Sequence, residues 1–454
     1  MTLTTLRPAR RLLVAVGAAA GLVAAPLSAP LAATAAGSAT GVWAMDGYGT
    51  IVAVDNGKAK LYQTTSISCT PSAEYTQDGT AFAADGEQSF TFAVHRDRAE
   101  LRLEGDVGAR HLRRVPKLPA ACSMPGATGP LATFDQFWTT FAENYPFFAA
   151  KGIDWTAVRA KYRPQVTSDA ALFDVLTAMI RPLGDAHTGI STPDRDFAGV
   201  RPGTTLPTLE LETNVIRPYI EHTTLHGVRY TSYANDRIGY AELPGGIGYL
   251  RVIGFLGYGD IPHYASERAV LDRTLDTILA TKPRKLILDL RLNGGGSDQL
   301  GLDLASRLTA RPYFAYSKRT RNNPADPSSF TAPQPAYVVP SGKSRFTGPM
   351  AILTGGSQLS AGETFTMAMM NRTPRPIRIG ENTQGVFSDT MDRTLPNGWT
   401  FFLPNEVYRT AAGTSYDGAG IPPDIRRPVF TPAELSGGRD SAFNTAVEYL
   451  RRRS

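Results

Sequence analysis

Cysteine is nearly absent from this 454-residue chain. The two present, Cys69 and Cys122, rule out a small disulfide-rich scaffold, and neither has a C-x-x-C neighbour suited to zinc or a redox dithiol. There are six histidines, and none falls in H-E-x-x-H spacing. His222 and His226 stand four apart without the glutamate, in a segment whose alternation reads as strand, so they are taken as surface residues. No phosphate loop is complete. Asn293-Gly-Gly-Gly296 meets Gln299 where the last glycine of G-x-G-x-x-G belongs, and Gly342-Lys343-Ser344 is preceded by Tyr337 where the first glycine is required. No metal or cofactor is therefore expected. Beyond Val23 no apolar run approaches the roughly eighteen residues that span a bilayer. No acid occurs before Asp46, and three of the formal +6 charges come from Arg7, Arg10 and Arg11. The remainder is too small to argue for nucleic acid or an anionic membrane as partner.

What is present begins with a leader pattern. Arg7, Arg10 and Arg11 precede the apolar run Leu12 to Val23, and small residues follow, with cleavage expected after Ala33 or Ala36. The Arg10-Arg11 pair is compatible with twin-arginine export, although the loose surrounding pattern fits the general pathway better. Residues 1–36 thus read as a signal peptide and the mature chain as secreted or extracytoplasmic, free of the membrane. In that compartment Cys69 and Cys122 are expected to form a disulfide closing the first folded segment.

The mature chain reads as multidomain α+β. Residues 40–115 alternate in short segments broken by Asp-Asn-Gly and Asp-Gly, the signature of hairpins in a small antiparallel β domain, a barrel or half-barrel. Residues 116–130, with four prolines, read as a linker. Residues 131–200 switch to helical period, with Phe134, Phe137, Trp138 and Phe141 on one face, Asp154 and Ser168 as helix caps, and a loop carrying His187. Strand-like alternation over Arg201 to Leu243 leads into an α/β core that fills 201–430, and residues 431–454 supply a closing helix.

Within that core, Met350 to Met370 reads as buried strand, small-residue turn and helix, with Ser360 at the helix entry. Ser360 fits two roles. Glu363 three residues on completes a capping box. Alternatively the hydroxyl, beside free N–H groups at a helix N-terminus, suits a nucleophile next to an oxyanion site. Glycines 294–296 at the end of the strand Lys285 to Leu292 would let backbone N–H groups approach a reacting carbonyl oxygen.

Four motifs in order, Leu288-Asp-Leu-Arg-Leu-Asn-Gly-Gly-Gly296, Ser360-Ala-Gly-Glu363, Ile379-Gly-Glu-Asn-Thr-Gln-Gly385 and Gly420-Ile-Pro-Pro-Asp424, resemble the catalytic domain of tail-specific (C-terminal processing) serine proteases. Asp185 to Thr188 and the aromatic helices before it resemble the branch of the tricorn core protease and the interphotoreceptor retinoid-binding proteins. The resemblance spans roughly residues 130–430 and implies a crotonase-like ββα core. Carried over by position, it implies Ser360 as nucleophile, His187 as general base and an oxyanion hole from the N–H groups of Ala361 and Gly295. The lysine used by the best-known branch is replaced here by Val386, which cannot accept a proton. Asp417 stands where the family usually has a glutamate, so it is either a third catalytic residue or a turn residue. The stretch 201–244 is too short for the PDZ domain many members carry. The implied partner is a peptide or unfolded protein substrate; the alternative is a non-catalytic binder of apolar ligands or peptides on the same fold. Nothing in the sequence decides the oligomeric state.

Overall fold

A computed structural model describes residues 38–261 and 263–453; the expected signal peptide, 1–36, lies outside them. The first element is a closed antiparallel barrel of eight strands: β1 (Gly41–Met45), β2 (Thr50–Asp55), β3 (Lys58–Thr64), β4 (Cys69–Asp78), β5 (Ala81–Ala83), β6 (Phe90–His95), β7 (Arg98–Leu103) and β8 (Arg110–Val115). Closure comes from β1 pairing with β8. The Asn56-Gly57 turn joins β2 to β3 with φ of 47° and 73°, both positive, as a two-residue hairpin turn matching strand twist requires. Alternate residues, among them Trp43, Val52, Phe82, Phe90, Leu101 and Leu112, fill the interior. Cys69 at the start of β4 is disulfide-bonded to Cys122 in the turn just after the barrel.

Three helices follow, α1 (Pro130–Asn144), α2 (Trp155–Tyr162) and α3 (Asp169–Ile180). Proline at the first position of α1 is pre-set for helix entry. The Asp154 carboxylate caps α2 by accepting the N–H groups of Thr156 and Ala157, both at 3.0 Å. Ser168, by contrast, makes no capping bond at α3. Phe134, Phe137 and Phe141 are fully buried; Phe137 and Phe141 pack on Phe401, and Phe141 also on Trp155. The hydrophobic cluster they join is continuous with the barrel interior, so the barrel and helices share one core. After α3, Gly184 at φ 53° ends the helical path and starts the His187 loop. That loop runs into β9 (Gly189–Ser191) and β10 (Asp196–Ala198).

The expected strand character of 201–243 holds only in its second half. Residues 209–224 are helical, alternating α and π turns. Glu212, Ile216, Ile220 and Thr224 are buried at intervals of four, wider than the α period, and this spacing accompanies the π winding. Tertiary packing of that stripe overrides the β-like local composition. His222 and His226 are exposed at the end of this run.

The remaining strands are β11 (Tyr230–Tyr233), β12 (Ile238–Leu243), β13 (Ile247–Val252), β14 (Lys285–Asp289), β15 (Tyr313–Thr320), β16 (Gln334–Val338), β17 (Met350–Thr354), β18 (Ile377–Gly380), β19 (Thr390–Thr394), β20 (Thr400–Pro404), β21 (Glu406–Arg409) and β22 (Ile425–Arg426). The main sheet has the order β11-β12-β13-β14-β17-β18-β22, parallel from β13 onward. Its strands β13, β14 and β17 are almost wholly buried, as apolar runs covered on both faces require. Helices α4 (Tyr264–Ala280), α5 (Asp298–Ser306), α6 (Ala361–Met369) and α7 (Ser441–Arg451) cover it. The Asp440 carboxylate caps α7 and also holds Arg291 at 2.7 Å and Thr224 at 2.9 Å. A second sheet, β10-β9-β20-β19, ties the strand after His187 to the segment that follows Val386.

Candidate active site

Strand β17 delivers the chain to a turn over 355–360, and α6 begins at Ala361. Ser360 sits there at φ 56°, ψ −129°, a left-handed backbone that a non-glycine residue holds only when its surroundings impose it. Three contacts do so. The Ser360 N–H donates to Val386 O at 2.9 Å, Leu359 N–H to Asn293 O at 3.0 Å, and Gln384 N–H to Gln358 O at 2.8 Å. The capping box does not form: Ser360 makes no side-chain cap bond. A cap needs extended backbone at that residue, and Ser360 is not extended. Glu363 instead spans the loop across the turn, accepting Gly385 N–H at 2.7 Å and Val386 N–H at 2.8 Å. Burial pushes its carboxyl up to about 8, and the Thr383 hydroxyl and the two N–H groups pull it back. The Ser360 hydroxyl is thereby left without a structural duty.

The glycine turn packs directly on this serine. A Cβ on Gly295 would lie 2.5 Å from Ser360 Cβ and 3.3 Å from Ala361 N. The Gly295 N–H, however, is donated to Asn293 Oδ1 at 2.9 Å. The expected oxyanion donor is thus already engaged, because the asparagine side chain folds back over its own turn. Among the described residues, the N–H groups of Ala361 and Gly296 have no such partner. Gly296 lines the same cavity as Ser360.

His187 lines that cavity too. It is 7% exposed, and its Nδ1 is buried without a hydrogen-bond partner in the protein. Burial lowers its pKa below the usual 6.5, and the Asp185 carboxylate pulls it back up. Asp185 Oδ1 accepts the His187 backbone N–H at 2.9 Å, while Oδ2 accepts the Tyr145 hydroxyl at 2.7 Å. An Asx-type turn thus holds the histidine loop against the end of α1. The acid whose charge reaches His187 is two residues away in sequence, a spacing from which it could have been found.

Of the two roles expected for Asp417, its hydrogen bonding fits the turn residue more directly. Its Oδ2 accepts the Ser415 hydroxyl at 2.6 Å rather than a histidine N–H. Burial, and after the Ser415 bond the Asp185 charge, push its carboxyl up to about 7. The Asp185 charge thus acts both on His187 and on the Asp417 carboxyl. Val386 is 3% exposed and serves the serine turn through its backbone.

The shared cavity measures about 670 Å³. Barrel residues 84–89 and 104–106 form one wall, a contribution no local pattern announces. Beside them Lys318 is buried among Asp106, Asp389 and Glu406 at 3.2, 3.0 and 3.4 Å, tying barrel to core. Asp298 at the start of α5 accepts three hydroxyls, from Thr364, Tyr316 and Tyr408, and burial pushes it up to about 7.

Ser360, at its strand–turn–helix, and the buried His187 line one cavity, and comparison with known proteins points to a peptidase. Residues 246–427 match peptidase family S41, and residues 131–181 match the tricorn protease C1 domain. A putative peptidase from Parabacteroides merdae ATCC 43184 is 25% identical over 72% of this chain and 98% of its own, with a TM-score of 0.61. Mature CPAF complexed with lactacystin shares the fold at 13% identity, over 71% of this chain and 97% of its own, with a TM-score of 0.54. No curated protein sequence matches at a significant level. Residues 246–427 thus carry a peptidase family S41 region, and the chain is a serine-type peptidase.

Proposed function

We propose that this peptidase cleaves peptide bonds with Ser360 as nucleophile and His187 as general base, and that it acts after export. The observation that carries the reading is Ser360 itself: a strained backbone, a hydroxyl free of capping, and a cavity shared with a buried histidine whose lowered pKa keeps it neutral near pH 7. His187 takes the hydroxyl proton as Oγ attacks the scissile carbonyl carbon. The N–H groups of Ala361 and Gly296 receive the oxyanion, each worth about 3 kcal/mol. Collapse breaks the C–N bond, and the imidazolium returns its proton to the leaving amine. Water then repeats the sequence on the acyl-enzyme. The Asp185 carboxylate stabilises the imidazolium by charge. Export is supported by the leader pattern together with the Cys69–Cys122 disulfide, which an oxidising compartment sustains. No helix among the described residues is long and apolar enough to cross a membrane. The apolar-binder alternative is disfavoured by the carboxylates lining the cavity and by the aromatic helices, whose inward rings are spent in the core.

The test is labelling with a fluorophosphonate, followed by mass mapping. Modification at Ser360 is expected, with its loss in Ser360→Ala and in folded His187→Ala. Peptide cleavage persisting in Ser360→Ala would overturn the assignment.

A further inference from the structure

We propose that the cavity beside Ser360 selects a cationic side chain, that Glu267 is the carboxylate that receives it, and that the substrates are peptides carrying lysine or arginine. This rests on the peptidase reading above.

The cavity lining is rich in acids, and three of them are already satisfied. Asp106 and Asp389 share the Lys318 ammonium, and Asp298 is held by three hydroxyls. Glu267, on α4, is different. It is 1% exposed and belongs to the cavity lining. Its Oε2 accepts the Tyr258 N–H at 2.7 Å, while its Oε1 is buried with no partner among the described residues. No arginine or lysine forms an ion pair with it there. A buried, half-satisfied carboxylate is costly, and a positive ligand group would offset that cost.

Its position fits the reaction centre. Tyr258 belongs to the segment that carries the glycine turn: Gly294 N–H donates to Ile253 O at 3.0 Å, Phe255 N–H to Gly295 O at 2.6 Å, and Ser297 N–H to Phe255 O at 2.9 Å. Glu267 is therefore anchored to the same backbone that seats the oxyanion donors. At the mouth, Asp85, Glu87 and Glu104 from the barrel add negative charge. Arg110, the one arginine or lysine of the lining among the described residues, faces Asp106 at 3.6 Å and stacks on Tyr48. The field inside is negative and concentrates cationic side chains.

The experiment compares peptide pairs differing only by lysine against norleucine, and by arginine against citrulline, with cleavage sites mapped by mass spectrometry. The full chain is expected to favour the charged member at least tenfold in kcat/KM. Glu267→Gln keeps an oxygen for the Tyr258 N–H and is expected to bring the ratio to within about twofold of unity. Should that variant not fold, agmatine protection of wild-type Ser360 from fluorophosphonate is the second readout, with protection supporting the proposal and its absence opposing it. Equal cleavage of both members by the wild type would overturn the inference and leave the peptidase reading intact. Lysine preference surviving in folded Glu267→Gln would remove Glu267 from the role. Absence of both cleavage and labelling would sink the peptidase reading, and the inference with it.

Discussion

Replacing Gly295 with alanine probes whether the contact between the glycine turn and Ser360 is the reactive geometry. The new Cβ would stand 2.5 Å from Ser360 Cβ and 3.0 Å from its Oγ. Carbon atoms pack at about 3.5–4.0 Å, so serine or turn must shift by roughly 1 Å. Neither yields easily. Ser360 is pinned through Val386 O, and the turn is pinned through Ile253 O and Asn293. Gly295 also lies at φ 84°, where alanine costs about 1–2 kcal/mol. A 1 Å misplacement of reacting groups is worth about 10²-fold in rate. Gly295→Ala is therefore expected to slow fluorophosphonate labelling of Ser360, and kcat/KM, by about 100-fold, with a stability loss of about 1–3 kcal/mol by thermal unfolding. Gly342→Ala is the control, since nothing lies within 4 Å of its added Cβ. A folded Gly295→Ala protein labelled within threefold of the wild-type rate would refute the reasoning.

The histidine provides a second check: with burial depressing its pKa, the acid limb of kcat/KM should lie below pH 6.5, and Asp185→Asn should move it lower still while reducing the plateau about tenfold. An unmoved limb would remove Asp185 from that role. Asp417 predicts a stability effect of definite sign. Its folded-state pKa of about 7 exceeds the unfolded value of 3.8, so the folded form favours the proton, and the destabilisation grows as pH rises between those values. Asp417→Asn should raise Tm at pH 8 and leave it nearly unchanged at pH 4; equal shifts at both would argue against it. Lys318→Met strands three buried or half-buried acids, Asp106, Asp389 and Glu406, and should cost about 3–5 kcal/mol by denaturant titration. A loss under 1 kcal/mol would mean the barrel–core contact does not depend on that ammonium.

Local chemistry was legible in the sequence because it acts over a few residues. The Asn56-Gly57 hairpin, the Asp154 cap, the aromatic face of α1 and the strand–turn–helix around Ser360 all follow from period and turn preference. The order of motifs was enough to indicate the family, and Val386 excluded a lysine base at that position. Long-range contacts decided the rest. Residues 209–224 wind as helix because their buried stripe packs against the core, whatever their local composition. Ser360 is not a cap because Val386 and Glu363, brought together from 23 residues apart, hold its backbone left-handed. Asn293 engages the Gly295 N–H, and the Asp185 charge reaches Asp417 from more than 200 residues away in sequence. Part of the cavity that Ser360 lines comes from a barrel more than 250 residues upstream, and Glu267 reaches the same cavity from α4. Sequence determined which groups could do chemistry, since that depends on residue type and near neighbours. Tertiary structure decided which of them meet, which N–H groups stay free and which charge remains unpaired, since burial and distance exist only once the chain has folded.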